Sequence, residues 1–147
     1  MDVVATLDAR CTPADLVAVV RDLDRYPEWL SILPRTAAEA GSDPAAWSVE
    51  LRATIGPLAR SKRLRMVRTL DEPDHVRFER SEADGRRHSA WVLDAAVTPT
   101  DGGARLTMSL HYGGPFGGGI VERLLRDEID ESRLRLRALV EQGVLGP

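Results

Sequence analysis

Between Trp47 and Tyr112 the chain repeatedly alternates apolar and polar residues, and short turn sequences separate the alternating segments. The most regular segment begins at Trp47 and ends at Ile55, and every second residue in it is apolar. Successive side chains of a β-strand point to opposite faces of its sheet, so this pattern predicts strands with one buried face and one hydrated face. Connections as short as these join antiparallel neighbours. The alternation therefore predicts one curved antiparallel sheet.

Further strands follow the same rule on both sides of this segment. A strand is predicted over residues 3–10, and the run from Thr36 to Tyr112 predicts about six more. Asp84-Gly85 and Asp101-Gly102-Gly103 are typical hairpin turns. The residues predicted on the buried face of the sheet include Val3, Ala5, Leu7, Ala9, Trp47, Val49, Leu51, Ala53, Ile55, Leu64, Met66, Leu70, Val76, Phe78, Trp91, Leu93, Ala95, Val97, Leu106, Met108, Leu110 and Tyr112.

Two short helices are predicted directly after the first strand. Thr12, Pro13 and Asp15 have the spacing of a capping box with proline at the first helical position, so a helix begins here. Tyr26-Pro27 ends this helix, and a second one runs from Glu28 to Leu33, where Pro34 stops it.

A long amphipathic helix is predicted from Ile120 to Gln142, with Gly143 as its carboxyl-terminal cap. Its length is roughly 35 Å. The predicted buried stripe consists of Val121, Leu124, Leu125, Glu128, Ile129, Ser132, Leu136, Leu139 and Val140. A single amphipathic helix buries its stripe against the concave face of the sheet, which makes this an α+β fold. Space left between a curved sheet and one helix is a natural ligand pocket.

The 147 residues and their composition limit the class of protein further. The length is that of a single domain over residues 1–147, and a net charge of −3 argues against a general nucleic-acid binder. No apolar run has the roughly 18 residues of a membrane span, so we expect no integral membrane segment. The amino terminus lacks the pattern of a signal peptide, and one cysteine, Cys11, forms no internal disulfide. We therefore expect a cytoplasmic protein, a monomer or a homodimer.

The sequence from Asp24 to Leu30, DRYPEWL, follows the first predicted helix, and together with the element order it resembles the helix-grip superfamily called SRPBCC or START-like. Within that superfamily the chain is most similar to the bacterial polyketide cyclase/dehydrase-type proteins, along nearly its whole length. Ile55-Gly56-Pro57-Leu58, Trp91-Val92-Leu93 and the glycine-rich entry to the last helix carry the rest of the resemblance. It implies seven strands or so wrapped around the long helix, with a mostly apolar cavity between them.

Motifs for cofactor or nucleophilic chemistry are missing from the sequence. His75, His88 and His111 do not have metal-ligand spacing, and Cys11 has no evident base beside it. The glycines at 113–119 lack the ending of a phosphate-binding loop. They predict a flexible connection, and a gate over the cavity mouth is a further hypothesis. We expect no metal and no cofactor.

Apart from the apolar lining, a few polar residues are predicted to face the cavity. Arg68 is in phase with Leu64 and Met66, and Arg80 is in phase with Phe78. An inward arginine needs a carboxylate or an anionic ligand, and Glu128 on the helix is a possible partner, unless a bulge or strand end turns the arginines outward. The predicted cavity residues are Tyr26, Trp29, Leu33, Leu51, Ala53, Leu64, Met66, Arg68, Phe78, Arg80, Trp91, Leu93, Met108, Leu110, Tyr112, Leu125, Glu128 and Ser132.

Three functions stay open at this stage. The first is binding of a hydrophobic small molecule such as a lipid or a polyketide. The second is a polyketide cyclase or dehydratase, in which Arg68, Glu128 and Tyr26 are the candidate catalytic residues and Arg80 and Tyr112 are further polar candidates. The third is a protein-interaction module like the related coenzyme-Q-binding and ribosome-associated proteins, which a cavity too small for a drug-sized ligand would favour.

Overall fold

The computed structural model describes residues 2–55, 58–114 and 119–145; the side chains of residues 53–60, 119–122, 124 and 143–145 are outside this description. One 3₁₀ helix, Leu23–Glu28, lies between the first α-helix and the second strand. The other elements are, in chain order, β1 (Asp2–Ala9), α1 (Pro13–Val20), β2 (Arg35–Ala38), β3 (Ala46–Ile55), β4 (Leu58–Glu72), β5 (His75–Arg80), β6 (Trp91–Thr100), β7 (Gly103–Tyr112) and α2 (Gly119–Leu145).

The seven strands form one sheet in the order β1-β7-β6-β5-β4-β3-β2, with every neighbouring pair antiparallel. From β2 to β7 each strand pairs with its successor in the chain, as expected for short hairpin connections. The first strand then pairs with the last, which places β1 at one edge and β2 at the other. The predicted helix-grip architecture of a curved sheet with a long carboxyl-terminal helix is confirmed.

One face of the sheet carries most of the core. Phe78 of β5, Val97 of β6 and Leu106 of β7 are buried on this face, while their polar neighbours point the other way. The buried side chains of α2 in the described part of the helix are Leu125, Ser132, Leu136 and Val140. Their spacing of four and seven residues places them on one helix face, so the apolar stripe packs as the sequence predicts.

The amino terminus of α1 has the predicted cap. The Thr12 hydroxyl accepts from the Asp15 backbone N–H at 3.1 Å, and the Asp15 carboxylate accepts from the Thr12 N–H at 3.3 Å. Two backbone donors that the helix itself leaves without partners are thereby satisfied. Pro13 occupies the first helical position, where its missing N–H costs no helix bond.

Two predicted helix boundaries are wrong. The second short helix spans Leu23–Glu28 rather than Glu28 to Leu33, and it contains Pro27. A short 3₁₀ helix accommodates this proline because few of its N–H groups have partners to lose. At the other end of the chain, α2 continues through Gly143 to Leu145. A glycine lowers helix stability by about 1 kcal/mol but does not by itself terminate a helix.

A β-bulge in β4 corrects one predicted side-chain direction. Arg68 pairs with Phe78, but the next pair is Leu70 with Arg77, so Thr69 is an extra residue. An inserted residue reverses the inward-outward alternation beyond it. Leu70 therefore lies on the outer face with Arg77 instead of joining Leu64 and Met66, and Asp71 takes the inner position opposite Val76.

Arginines of α2 tie the helix to two backbone segments. Arg133 donates to the Thr6 carbonyl at 2.9 Å, and Arg137 donates to the Asp8 carbonyl at 3.2 Å. Both acceptors belong to β1, an edge strand whose outer backbone groups have no neighbouring strand. Arg135 donates to the Trp29 carbonyl at 3.1 Å. The helix therefore holds both β1 and the segment after the 3₁₀ helix. Among the described helices none is long and apolar enough to cross a membrane.

Candidate ligand cavity

A cavity of about 60 Å³ lies between α2 and the edge of the sheet formed by β1 and β7. Trp29, Leu30 and Ile32, from the segment after the 3₁₀ helix, cover one side of the cavity. Nearly all of its wall is apolar, so removal of a hydrocarbon ligand from water into this space is favourable. Its described lining consists of Val3, Ala5, Thr6, Leu7, Trp29, Leu30, Ile32, Leu93, Leu106, Met108, Ser109, Leu110, Ile129, Arg133 and Leu136.

A second cavity of about 50 Å³ lies under the middle of the sheet. Side chains of β3, β4, β6 and β7 form its floor, and the segment from the 3₁₀ helix to β2 covers it. Its described lining consists of Leu23, Leu30, Ile32, Leu33, Val49, Leu51, Leu64, Met66, Trp91, Leu93 and Leu110.

The two cavities are neighbours, because Leu30, Ile32, Leu93 and Leu110 line both of them. These four aliphatic side chains form the wall between the cavities. Leucine and isoleucine side chains change rotamer without breaking a hydrogen bond, since they have no polar atoms. Rotation of this shared wall would join the two spaces into one elongated apolar pocket.

Three buried nitrogen atoms have no hydrogen-bond partner in the described structure, and all three belong to residues that line a cavity. They are Nε1 of Trp29 and Nε of Arg133, whose residues line the first cavity, and Nε1 of Trp91, whose residue lines the second. Trp29 is 4% exposed and Trp91 is 7% exposed, so bulk solvent does not reach these groups. Each unsatisfied donor costs about 1–3 kcal/mol.

Nine of the predicted cavity residues line one or both cavities. Four of them have side chains that contain nitrogen or sulfur, and the other five are leucines. The nine are Trp29, Leu33, Leu51, Leu64, Met66, Trp91, Leu93, Met108 and Leu110. The side chain of Ala53 is outside the described set. Tyr26, Arg68, Phe78, Arg80, Tyr112, Leu125, Glu128 and Ser132 do not line either cavity and have the roles described next.

Tyr26 is a core residue. It is completely buried, its hydroxyl donates to the Val20 carbonyl at 2.8 Å, and its ring packs against Trp29 and Phe78 with centroid distances of 4.9 and 6.1 Å. Burial raises the pKa of its phenol far above the ordinary value. A hydroxyl that stays protonated and already has an acceptor serves a structural role and not that of a catalytic acid or base.

The inward arginines have carboxylate partners other than Glu128. Arg68 lies 3.6 Å from Asp71, donates to the Arg21 carbonyl at 2.6 Å and stacks over the Trp47 ring at 5.4 Å. The bulge at Thr69 brings Asp71 to the inner face, which sequence alternation does not reveal. The three contacts of the Arg68 guanidinium are therefore all to other groups of the protein.

Arg80 pairs with Glu82 at 2.9 Å and is almost completely buried. Burial raises the pKa of Glu82, but hydrogen bonds from the Arg65 N–H and from Arg80 outweigh it, so the net pKa is below the usual value. Arg80 also donates to the Ser89 carbonyl at 3.4 Å. The pair thus fastens both ends of the segment between β5 and β6.

Of the two polar residues in the α2 stripe, Glu128 bonds to another segment and Ser132 bonds within the helix. Glu128 accepts from the Ser31 hydroxyl at 2.5 Å, and the buried Ser132 hydroxyl accepts from Arg135 at 3.2 Å. Leu125 is part of the core. The Tyr112 ring packs against Trp91 at a tilt of 54°, with a centroid distance of 4.4 Å.

Sequence reasoning does not assign β1 to the cavity, and from α2 it names Leu125, Glu128 and Ser132, whereas Ile129, Arg133 and Leu136 line the first cavity. Val3, Ala5 and Leu7 are in its wall, and the alternation of β1 predicts their inward direction. The strand order makes β1 the neighbour of β7 and of α2, and nothing in the local pattern of β1 gives that order. Arg133 was missed because it follows Ser132 outside the apolar stripe.

The gate hypothesis concerns residues 113–119, of which 115–118 lie outside the described residues. Gly114 is described, and a β-carbon there would lie 1.9 Å from the Tyr112 hydroxyl oxygen. The close approach requires glycine at this position. The Tyr112 ring therefore fixes where the segment leaves β7.

Each histidine is engaged by an aspartate. His75 lies 2.7 Å from Asp94, and the corresponding pairs His88–Asp84 and His111–Asp2 are separated by 2.9 and 2.7 Å. The described part of the chain contains no group of three or more possible metal ligands.

A wider groove of about 630 Å³ lies outside the core, beside the edge strand β2. Its described wall includes Asp24, Arg35, Glu50 and Arg63, which are mostly exposed. Charged side chains in contact with water are already solvated, so an apolar ligand would gain little binding free energy in this groove. The enclosed cavities are the better candidate site.

Solved structures similar to this chain share its fold at low sequence identity. The two-domain aromatase/cyclase StfQ of the steffimycin biosynthetic pathway superposes with a TM-score of 0.72 at 16% identity, over 99% of this chain. The chain spans 52% of that protein, about half its length. A START superfamily protein from Mycobacterium smegmatis gives 0.71 at 17% identity, over 96% of this chain and 97% of that one.

The aromatase/cyclase ZhuI from a Streptomyces species also superposes with a TM-score of 0.71, at 10% identity, over 98% of this chain and 95% of that chain. At such identities the likeness establishes the fold alone. No curated protein matches the sequence significantly. A family model described as "Polyketide cyclase / dehydrase and lipid transport" matches residues 1–141. With this match over nearly its whole length, the chain belongs to the polyketide cyclase/dehydrase and lipid transport family.

Proposed function

We propose that this protein binds a hydrophobic small molecule in the two adjoining cavities between the sheet and α2. The observation that carries the proposal is the shared wall of Leu30, Ile32, Leu93 and Leu110, which separates two apolar spaces inside one core. Well-packed interiors leave few voids larger than a water molecule, so two neighbouring ones mark a departure from ordinary packing. The family description, which includes lipid transport, supports the same function.

The size of the cavities requires that the wall moves when a ligand enters. Their volumes of about 60 and 50 Å³ are well below the ~300–1,000 Å³ of typical small-molecule pockets. A ligand of even ten carbon atoms therefore needs the joined space, and it gains the apolar contacts of both cavities in return. Burial of each methylene contributes about 0.8 kcal/mol, which offsets the cost of rotating the wall side chains.

The test uses N-phenylnaphthylamine, an uncharged apolar probe whose fluorescence increases when it leaves water. Leu93→Phe fills the shared wall, whereas Val92→Phe makes the same kind of enlargement at the neighbouring position on the other face of β6. We expect the probe to bind the natural protein and the Val92→Phe variant, and to bind Leu93→Phe at least tenfold more weakly. Equal binding by both variants would place the probe elsewhere and refute the proposal.

Native mass spectrometry of the protein isolated from cells is the second measurement. A retained apolar molecule supports the proposal. An empty protein that carries a stoichiometric protein partner, together with no probe binding, would favour the interaction-module alternative, with which the small cavity volumes are compatible.

An enzymatic function is the second candidate, and the position of Arg133 favours it. Arg133 is one of the residues that line the first cavity, and a guanidinium can stabilise negative charge that develops on a ligand carbonyl. The likeness to two aromatase/cyclase structures is compatible with such chemistry. Incubation with a linear poly-β-ketone thioester, followed by mass spectrometry for the loss of water, tests it. Turnover by the natural protein but not by Arg133→Met, with the fold retained, is the result expected of an enzyme.

A further inference from the structure

The β3–β4 hairpin extends beyond the rest of the sheet at one end. The strand β2 pairs with β3 only as far as Glu50, and β5 pairs with β4 only as far as Met66. Past these points β3 and β4 continue to pair with each other, as far as Ile55 and Leu58. In the part of the chain that the structure describes, no third strand accompanies this two-stranded ribbon.

The ribbon concentrates positive charge. Residues 51–64 include four basic residues, Arg52, Arg60, Lys62 and Arg63, and no acidic residue. The whole chain has a net charge of −3, so the rest of it carries −7. We therefore call residues 51–64 the basic ribbon. A charge distribution as uneven as this one attracts anionic surfaces to one end of the molecule.

Three cations of the basic ribbon have described side chains, and all three are exposed. They are Arg52, Lys62 and Arg63. None of them has an ion pair or a side-chain hydrogen bond to any residue within the described ranges. Glu50 is opposite Arg63 in the strand register, but it lies 3.8 Å from Arg35. The three cations are therefore available to an anionic partner.

We propose that the basic ribbon docks this protein on the surface of an anionic lipid bilayer. Lipid phosphates supply the negative charge, and each lysine or arginine near such a surface strengthens binding about fivefold. The last residue of β3 is Ile55 and the first of β4 is Leu58, so the far end of the ribbon is apolar in sequence. Apolar residues flanked by cations match the boundary between headgroups and hydrocarbon.

The base of the basic ribbon leads to the second cavity. Leu51 and Leu64 belong to the ribbon and also line this cavity. Lys62 is opposite Leu51 in the strand register, so a ribbon cation and a cavity residue share one strand pair. A bilayer bound at the ribbon is therefore close to the pocket, and apolar molecules dissolve in bilayers. This step alone rests on the proposed function.

A nucleic acid is the other polyanion that could attract the basic ribbon. Proteins that bind single strands stack the bases on aromatic side chains, and residues 51–64 contain no Phe, Trp or Tyr. Nucleic-acid-binding domains also carry a basic surplus, whereas the rest of this chain carries −7. The bilayer is the better match because it accommodates both the cations and the apolar residues Ile55 and Leu58.

The experiment measures co-sedimentation of the protein with two kinds of vesicle. One is phosphatidylcholine alone, and in the other phosphatidylglycerol replaces one third of it. We expect the anionic vesicles to bind the protein about tenfold more tightly or better, and added salt to weaken this binding. Equal binding to both vesicles, or binding to neither, would overturn the proposal.

Two double variants with the same net charge locate the surface. Lys62→Gln/Arg63→Gln removes two exposed charges from the basic ribbon, and Arg10→Gln/Arg105→Gln removes two at the opposite end of the sheet. We expect the first to bind anionic vesicles about tenfold more weakly or worse, and the second to stay within about twofold of the natural protein. Lys62→Arg/Arg63→Lys keeps both charges and should bind normally. Equal losses in the two glutamine variants would refute a role specific to the ribbon.

Two further measurements separate the proposal from its alternatives. If a labelled DNA duplex binds more tightly than the anionic vesicles, and Lys62→Gln/Arg63→Gln weakens it, the partner is a nucleic acid and the proposal is wrong. Binding of N-phenylnaphthylamine without vesicles tests the proposed function, and both glutamine variants should retain it. Probe binding without vesicle binding overturns the docking surface alone, whereas vesicle binding without probe binding overturns the proposed function alone.

Discussion

The Tyr26 hydroxyl donates a 2.8 Å hydrogen bond to the carbonyl of Val20, the last residue of α1. Carbonyls at the end of a helix have no partner within it, so the phenol takes over one of these acceptors. The same ring contacts Trp29, whose indole lines the first cavity. One side chain thereby joins the end of α1, the 3₁₀ helix and the cover of the candidate site.

Tyr26→Phe tests this hydrogen bond. The substitution keeps the ring contacts and leaves the Val20 carbonyl without its donor, so we expect a loss of about 1–3 kcal/mol in the free energy of unfolding. Urea denaturation followed by circular dichroism measures it. An unchanged unfolding midpoint would show that water replaces the hydroxyl and that the bond is not needed.

The packing of α2 is tested by two leucines on opposite sides of the helix. Leu136 is 1% exposed and Leu134 is 65% exposed. Leu136→Ala should lower the free energy of unfolding by about 2–5 kcal/mol, because it leaves a cavity in the core. Leu134→Ala makes the same chemical change at the surface and should alter it by no more than about 0.5 kcal/mol. Similar losses in both variants, measured by urea denaturation, would mean that α2 does not bury this face.

The pair of Arg80 and Glu82 predicts a pH dependence of stability. The net pKa of Glu82 is below its ordinary value in the folded protein. A carboxyl of this kind contributes stability above its unfolded-state pKa of about 4.3, and the contribution disappears as the pH falls through the folded-state pKa. Glu82→Gln should therefore be less stable than the natural protein at about pH 7, and the difference should shrink steadily below about pH 4.

Urea midpoints across this pH range measure the effect, and Glu72→Gln is the control because Glu72 is an exposed carboxylate near the end of β4. Its curve should follow that of the natural protein. A difference between natural protein and Glu82→Gln that stayed constant with pH would show that Glu82 acts by packing and not by its charge.

The sequence predicted the fold well because side-chain alternation is a local signal. The inward residues of β6 are the ones that the alternation predicts, namely Trp91, Leu93, Ala95 and Val97. The capping box at Thr12 also forms as its residue spacing predicts. Each of these features depends on neighbours within a few positions along the chain. Neither the alternation in β6 nor the cap of α1 depends on which strands pair with each other.

The site was predicted less completely because it depends on contacts between distant segments. Arg68 was assigned to the cavity by phase, yet the extra residue Thr69 brings Asp71 to it as a partner. Trp29 is predicted from the sequence to lie at the cavity, but its unsatisfied N–H becomes visible only when every acceptor around it is placed. Polar satisfaction is a property of the packed structure, and spacing in the sequence does not encode it.

Two adjacent glycines in the β6–β7 hairpin should respond very differently to alanine. A β-carbon on Gly103 would lie 2.1 Å from the Ala9 carbonyl oxygen, whereas one on Gly102 would meet nothing within 4 Å. The obstacle at Gly103 is backbone of β1, which pairs along β7 and cannot shift without loss of sheet hydrogen bonds. Gly103→Ala should therefore lower the free energy of unfolding by about 2 kcal/mol or more.

Gly102→Ala removes conformational freedom from the unfolded chain without a clash, so we expect it to be neutral or to stabilise by up to about 1 kcal/mol. Thermal unfolding of the two variants beside the natural protein measures both effects. Because β1 also lines the first cavity, Gly103→Ala should weaken binding of N-phenylnaphthylamine as well, and Gly102→Ala should not. If the two alanine variants unfold at the same temperature, β1 does not approach the hairpin as closely as its pairing with β7 requires.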